Sequence, residues 1–502
     1  MHMMGLPGIA LFKTWSLLGF VTLAFGVWLL YQVVRAIYYA FFHPLSKYPG
    51  PFLNRFTVLP ITYHTIRGRQ PYYMKSLFDR YGPVVRTGPN TLGFITAQAG
   101  KDIYSFRNSS GAILGKAWDY YRSPGVPTTM FNSDPEPHAV LRKTVNPGFS
   151  ERAMRSQEPV IGAYVDLLIR RLHEAGENGQ KALNLRDWYN FTTFDIIGKL
   201  AFSSDFGCLE GSDYHPWVRM INQALLDVTI LNELKRISTR HLLKIFELTG
   251  MAKTTKDRLN ITGEMLSKRI EAGSQSDFIE PFIHNKDKLN LDFDHLKSNA
   301  DMFVIAGSET TATLLTGATY LLLTHPDIYD KVVQEVRSSF GSSDEISLTS
   351  VNKLSYMLAC LNETLRRYPP AASWLPRLVS NGDAIIDGHV VPKGSVVSIY
   401  IYPSHMSEHN FTDPEGFHPE RFLGDPRFAS DHLDAVRPFS VGPYDCIGRN
   451  LAYAEMRLIL ARILFNFDLR LVDGSKDWLN DQKAYGVWLK PDLHVHLTPV
   501  TR

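Results

Sequence analysis

Cysteine is scarce in this chain: Cys208, Cys360 and Cys446 are the only three in 502 residues. Three cannot build a disulfide framework, and their spacing matches no metal knuckle. That suits a body facing a reducing compartment. Net charge is also small, +3, with no basic block and no acidic tail, so nucleic acid is not an expected partner. Internal repeats and low-complexity tracts are absent. No G-x-G-x-x-G follows a predicted strand, so no flavin or nicotinamide site is expected. Finally, no charge occurs between Lys13 and Arg35.

That uncharged stretch is the first positive feature. Residues 14–34 carry Leu17, Leu18, Phe20, Val21, Phe25, Trp28, Leu29 and Leu30. At about 1.5 Å per residue the run spans roughly 30 Å, one hydrocarbon core. Trp15 and Tyr31 sit near its ends, where amphipathic aromatics favour the interface. A cleaved signal peptide would have a shorter apolar core and a small-x-small site, whereas Gln32-Val33-Val34-Arg35 follows here. The expectation is an uncleaved single-pass anchor. Lys13 precedes it, and Arg35, Lys47 and Arg55 follow it, so the body should be cytosolic and residues 1–13 a lumenal tail. The Asn-x-Ser/Thr matches at Asn108, Asn190, Asn260, Asn362 and Asn410 are then read as chance. Residues 35–51 include Pro44, Pro49 and Pro51 and read as a semi-rigid linker.

The rest, residues 52–502, reads as one large domain, mainly α with a minor β-sheet. Asp134-Pro135 pairs a capping residue with proline at the first helical position. That helix should end before Pro147. A helical apolar stripe covers 163–172. Further helices are expected over 292–324, 326–340 and 354–368, and strands over 84–86, 91–95, 384–386, 396–401 and 494–497.

The sharpest motif is Phe439-Ser440-Val441-Gly442-Pro443-Tyr444-Asp445-Cys446-Ile447-Gly448-Arg449-Asn450. A Gly-Pro loop reaches a cysteine and a helix follows. Free backbone N–H groups and the positive helix end there favour thiolate over thiol. A thiolate suits a haem iron whose task is O–O cleavage, because it pushes electron density toward oxygen. Gly442 and Gly448 would admit a close approach of backbone and porphyrin. Cys208 and Cys360 are read instead as small buried hydrophobes.

These residues resemble the cytochrome P-450 family of haem-thiolate monooxygenases, whose signature is Phe-x-x-Gly-x-Arg-x-Cys-x-Gly. Phe439, Gly442, Cys446 and Gly448 match it. Tyr444 departs, standing where the family has an arginine on a haem propionate. Tyrosine is neutral near pH 7, so weaker haem retention than in a Tyr444→Arg variant is expected. The resemblance extends to Ala306-Gly307-Ser308-Glu309-Thr310-Thr311, which looks like the oxygen-activation motif. Gly307 would leave room above a flat cofactor. Thr310 can bond back to the Ala306 carbonyl, and with Glu309 it could relay protons.

Glu363-Thr364-Leu365-Arg366 and Pro419-Glu420-Arg421-Phe422 match a pair of structural motifs, implying a buried triad of Glu363, Arg366 and Arg421. His138, Arg142 and Arg377 match propionate contacts. Taken whole, the resemblance implies haem b with an axial thiolate and O2 as oxidant. NADPH-derived electrons would come from a membrane-bound flavoprotein, NADPH-cytochrome reductase, in the endoplasmic reticulum. Arg142, Lys143 and Arg449 would face that acidic partner.

Pocket residues by family position lie in 118–122, 302–310, 371–375 and 485–488. Trp118, Tyr120, Phe303, Trp374 and Trp488 among them would favour a lipophilic ring-bearing small molecule or simply form core. The Phe-Phe-His-Pro-Leu linker is similar to that of fungal members used in secondary metabolism. Two other readings stay open. One is a reductase-independent haem-thiolate isomerase or dehydratase, which the presence of Thr310 disfavours. The other is a non-catalytic membrane haem-binding protein.

Overall fold

Proline and cap placement decide where the helices begin in the computed structural model, which describes residues 8–105, 113–122, 127–237, 253–480 and 482–501. The helices framing the site are α1 (Gly8–Ile37), α2 (Pro135–Val145), α3 (Glu151–Gly176), α4 (Leu185–Phe202), α5 (Phe293–Leu323), α6 (Pro326–Ser339), α7 (Ser355–Arg367) and α8 (Arg449–Asn466). The Asp292 side chain caps α5 by accepting from the His295 N–H at 2.9 Å. Asp134 holds the N-cap place of α2 but makes no capping bond. Arg122 takes its carboxylate instead, at 2.5 Å, and Pro135 alone presets the first turn.

The main sheet joins β1 (Val84–Gly88), β2 (Thr91–Phe94), β3 (Gly115–Lys116), β5 (Arg377–Leu378) and β8 (Val396–Ile399) in the order β1-β2-β8-β5-β3. Smaller sheets pair β4 (Ala182–Asn184) and β9 (Phe467–Leu471) with β12 (His494–Pro499), β6 (Ala384–Ile386) with β7 (His389–Val391), and β10 (Lys483–Tyr485) with β11 (Val487–Leu489). The extended run expected to reach residue 401 stops at Ile399, because Ile401–His405 turns helical. The main core is helical, with α5 packed most extensively along α4. A second apolar cluster lies under the main sheet.

Among the described residues one helix, at the front, is long and apolar enough to cross a membrane, with its apolar window at Gly19–Phe42. The helix continues past residue 34 as a π-turn, Tyr38–Phe42, so the linker is shorter than expected. It breaks at His43, whose ψ of 142° is the extended form forced by the following Pro44. The linker then docks: Leu45 is buried, Tyr48 donates to the Val390 carbonyl at 3.0 Å, and the Pro49 carbonyl accepts from Arg86 N–H at 2.7 Å. Of the possible glycosylation sites, Asn190 and Asn410 are buried, and Asn108 lies outside the described residues.

The expected triad is present and fully buried. Glu363 accepts from Arg366 at 2.7 and 2.8 Å, and Arg421 lies 3.4 Å from the same carboxylate. Asp431 pairs with Arg421 and makes it a neutral quartet. Arg366 also donates to the carbonyls of His405, Pro414 and Gly416 at 2.7–2.9 Å. The buried ring of His405 lies 3.2 Å from the Arg366 carbonyl and accepts from Arg437 N–H at 3.2 Å. Burial beside Arg366 holds its pKa down at about 3, so it stays neutral and can bridge in this sense. Removing one member leaves an unpaired buried charge. Glu363→Ala is therefore expected to cost about 3–5 kcal/mol in denaturant unfolding and to lower haem content. An unchanged midpoint would contradict this.

Candidate functional site: a cysteine loop beneath a long helix

From Arg437 the chain turns sharply toward Cys446. Ser440 N–H donates to the Arg437 carbonyl at 3.0 Å, with Ser440 at φ +58°. Gly442 follows at φ +82°, and a Cβ there would strike the Tyr104 carbonyl. Glycine is thus required by backbone geometry at this position, for a close approach to the chain at Tyr104. Cys446 N–H closes the loop on the Phe439 carbonyl at 2.8 Å. Helix α8 starts three residues later with Gly448 as its N-cap.

The Cys446 side chain is exposed to the cavity, yet desolvation by the protein packed around it raises its pKa, with the backbone N–H of Gly448 and the cations Arg142 and Arg449 pulling it down in part. The helix terminus alone therefore does not make a thiolate. Cys208 and Cys360 are buried, with thiols pushed up by desolvation, Cys208 to about 12.

Cys446 opens into a cavity bounded by α5, and its walls include Phe149, Ile197, Phe303, Ala306, Thr310, Phe439 and Leu451. Thr310 donates to the Ala306 carbonyl at 2.7 Å, the back-bond expected from the sequence. Gly307 lines the cavity too, and it has a second role. A Cβ there would meet Ile197 at 2.7 Å, so the residue lets α4 pack against α5.

Glu309 is not part of the cavity wall. Its buried carboxylate accepts from Lys490, which also donates to Thr313 at 2.8 Å. Of the five aromatics, only Phe303 reaches the cavity. Trp374 stacks on Tyr400, Trp488 stacks on Tyr368, Tyr120 packs on Trp374, and Trp118 lies under Arg122. Phe149 and Ile197 had no sequence signal, since they lie far from any motif.

Two residues before Cys446, Tyr444 sits among basic side chains. The Arg377 guanidinium lies 5.1 Å from its ring centre, the Lys116 ammonium 4.4 Å and the His138 ring 4.6 Å. Arg377 donates to Tyr121 Oη at 2.7 Å. Burial and the cations Lys116, Arg142 and Arg377 depress His138 to about 4, so it is neutral at pH 7. Burial, with Arg377 beside it, lowers Lys116 to about 7. Arg142 points elsewhere: it grips the Asp445 carbonyl at 2.5 Å and carboxylate at 2.6 Å. Its charge is already matched, leaving Lys143 and Arg449 as the exposed cations of the three expected to face a partner.

These groups fit a haem. One thiol faces an apolar cavity, and buried cations lie beside the thiol's own loop, where porphyrin carboxylates would need them. A thiol facing an apolar cavity beneath a long helix with a mid-helix threonine is chemistry that suits a haem held by a thiolate. The cytochrome P450 family model matches residues 49–497. The chain is 44% identical to cytochrome P450 monooxygenase tpeC of Talaromyces stipitatus, covering 96% of this chain and 95% of that protein. It is 41% identical to trichothecene C-15 hydroxylase of Fusarium sporotrichioides, over 97% and 99%. It is 39% identical to averantin hydroxylase of Dothistroma septosporum, over 95% and 91%. The chain belongs to the cytochrome P450 family and is a monooxygenase of the fungal secondary-metabolism type.

One buried acid was not singled out by the sequence. Glu455, on α8, is 1% exposed and faces Thr311 of α5. Desolvation raises its pKa to about 8, only partly offset by the Thr311 hydroxyl. The folded state thus binds this proton more tightly than the unfolded chain does. Its contribution is full below pH ~4.5 and is lost as pH rises toward 8. Glu455→Gln should therefore lose less stability than wild type between pH 5 and 8. Parallel unfolding midpoints of the two proteins across that range would contradict the assignment.

Proposed function

We propose that this enzyme inserts one oxygen atom from O2 into a lipophilic, ring-bearing small molecule at the α5 face of the cavity. The observation that carries the reading is the placement of Cys446 and Thr310 on walls of one apolar cavity. Cys446 would hold the iron of haem b, with Phe439, Gly442, Tyr444 and Gly448 shaping the loop. His138 and Arg377 would face the propionates, while Arg142 would brace the loop through Asp445. The haem, when bound, supplies O2 activation.

The chain's own part is binding, water exclusion and proton handling. Phe149, Ile197 and Phe303 line the cavity with apolar surface, which favours a hydrophobic ligand over water. Thr310 can turn its hydroxyl from the Ala306 carbonyl into the cavity and deliver a proton there. Glu309 can join that relay only by leaving Lys490.

Electrons would arrive from NADPH through a membrane-bound flavoprotein reductase docking near Lys143 and Arg449. Helix α1 would anchor residues 52–502 at the cytosolic face of the endoplasmic reticulum, with residues 1–13 lumenal. The relatives' full-length likeness supports an oxidation of a fungal secondary metabolite. The likeness to two hydroxylases supports C–H hydroxylation as the reaction.

Thr310→Ala is expected to leave haem content intact and to cut product formed per NADPH about a hundredfold, the missing product replaced by reduced oxygen species. Product formation in wild type should need both NADPH and the reductase. Unchanged coupling in the variant, or rapid turnover of a hydroperoxide without NADPH, would contradict the reading.

A further inference from the structure

Away from the haem site, an open groove of about 710 Å³ lies between the short helix Leu59–Ile66, the helix Gln70–Tyr81 and strand β10. Backbone contact fixes its shape. Ala484 N–H donates to the Gly68 carbonyl at 2.9 Å, and Gly68, at φ +70°, passes so close to β10 that a Cβ would meet that of Lys483 at 2.6 Å. His64 stacks on Tyr73 at 4.0 Å in the groove wall. Arg67 lies over Tyr63 at 5.5 Å and Arg69 over Tyr72 at 4.4 Å. Lys483 adds a third cation. Among the described residues, none that lines the groove is acidic, and no carboxylate pairs with the exposed Arg67 or Lys483. Burial, then Arg67 and Arg69, hold the His64 pKa below its ordinary value, so His64 stays neutral and the three longer side chains carry the charge.

The same face leads back to α1. The Phe41 ring, in the π-turn that continues α1, lies 6.4 Å from Phe52, and Phe52 lies 5.5 Å from Phe56. Arg55 donates to the Ala40 carbonyl at 3.3 Å and ties this junction. Leu59 and Tyr63 follow at i and i+4 on one face of the next helix, with Ile66 one turn further, in the groove. Phe41, Phe52, Leu59 and Tyr63 are each more than half exposed. An apolar strip that ends in tyrosine and arginine is graded as a bilayer interface is, with hydrocarbon first and phosphates next.

We propose that this groove binds the headgroup of an anionic phospholipid, its phosphate between Arg67 and Lys483 and its acyl chains along Leu59 and Phe52. A guanidinium matches a phosphate bidentately. A choline headgroup would instead bring its own cation among three others, so the groove selects against it. The depth of the groove in the membrane rests on reading α1 as the anchor; the charge match does not.

The test uses the full-length holoenzyme carrying Ser76→Cys in neutral detergent micelles, because Ser76 is exposed and lines the groove. Maleimide labelling of the introduced thiol is followed with dioctanoyl phosphatidylserine, dioctanoyl phosphatidylcholine or inorganic phosphate, and the carbon-monoxide difference spectrum controls for folding. Phosphatidylserine alone is expected to protect. Arg67→Gln and Lys483→Gln should each raise the half-protecting concentration about fivefold. Equal protection by phosphatidylcholine or by inorganic phosphate overturns the assignment, as does no protection, or protection that the two glutamine changes leave unaltered. Protection by purified reductase in place of the lipid also overturns it and gives the groove to a protein. Should a variant not hold haem, native mass spectrometry of the wild type decides: retention of phosphatidylserine over phosphatidylcholine supports the site, and equal retention overturns it. Micelles accept α1 whether or not it spans a bilayer, so failure of the groove and failure of the anchor reading are separate results.

Discussion

Two arginines and two carboxylates, sealed from water, fix the path by which the chain reaches its reactive cysteine. Glu363 and Arg366 lie on one helix, and Arg421 and Asp431 lie on the irregular segment that precedes the cysteine loop. Opposite charges this deep hold position because separating them would strand a charge in protein. The constraint is passed on through hydrogen bonds. Arg366 bonds to the carbonyls of 405, 414 and 416, and His405 hands it to Arg437 at the loop's start. Beyond Arg437, Ser440 and Gly442 turn the chain under the Tyr104 backbone and bring Cys446 to the mouth of α8. A soft link anywhere in this series would blur the position of the sulfur.

The second charge cluster is built on the opposite plan. The quartet is neutral and self-contained, whereas Lys116 and Arg377 face each other and, among the described residues, pair with no carboxylate. A closed cluster stabilises the fold, whereas buried cations without a matching carboxylate carry an uncompensated desolvation cost. Glu309 with Lys490 is a third, closed pair, and it ties the middle of α5 to the C-terminal strands. That pairing makes Thr310 the nearer of the two motif residues to the cavity.

Much of this was legible because it is local. The limits of α2, α5, α6 and α7 follow from proline, capping residues and the 3.6-residue period, and they lie within about two residues of their expected positions. The short strands β3 and β5 were not legible, since two residues carry no period. Lys116 was missed for that reason: its meaning comes from Arg377, a partner across the sheet. Asp431 and Lys490 were missed likewise, as partners distant in sequence. Gly307 lines the cavity, and its second neighbour, Ile197, shows only in the packing of α4. The aromatics expected in the pocket are mostly core, since side-chain type alone does not tell a wall from a filling.

The central claim is that the Cys446 sulfur binds the iron of a haem. The carbon-monoxide difference spectrum of the dithionite-reduced, full-length protein tests it most directly, compared with that of Cys446→His. Thiolate ligation predicts the long-wavelength band diagnostic of a sulfur donor in wild type and its absence in the variant. The same band in Cys446→His, or a wild-type spectrum of the imidazole-ligated type, would contradict it.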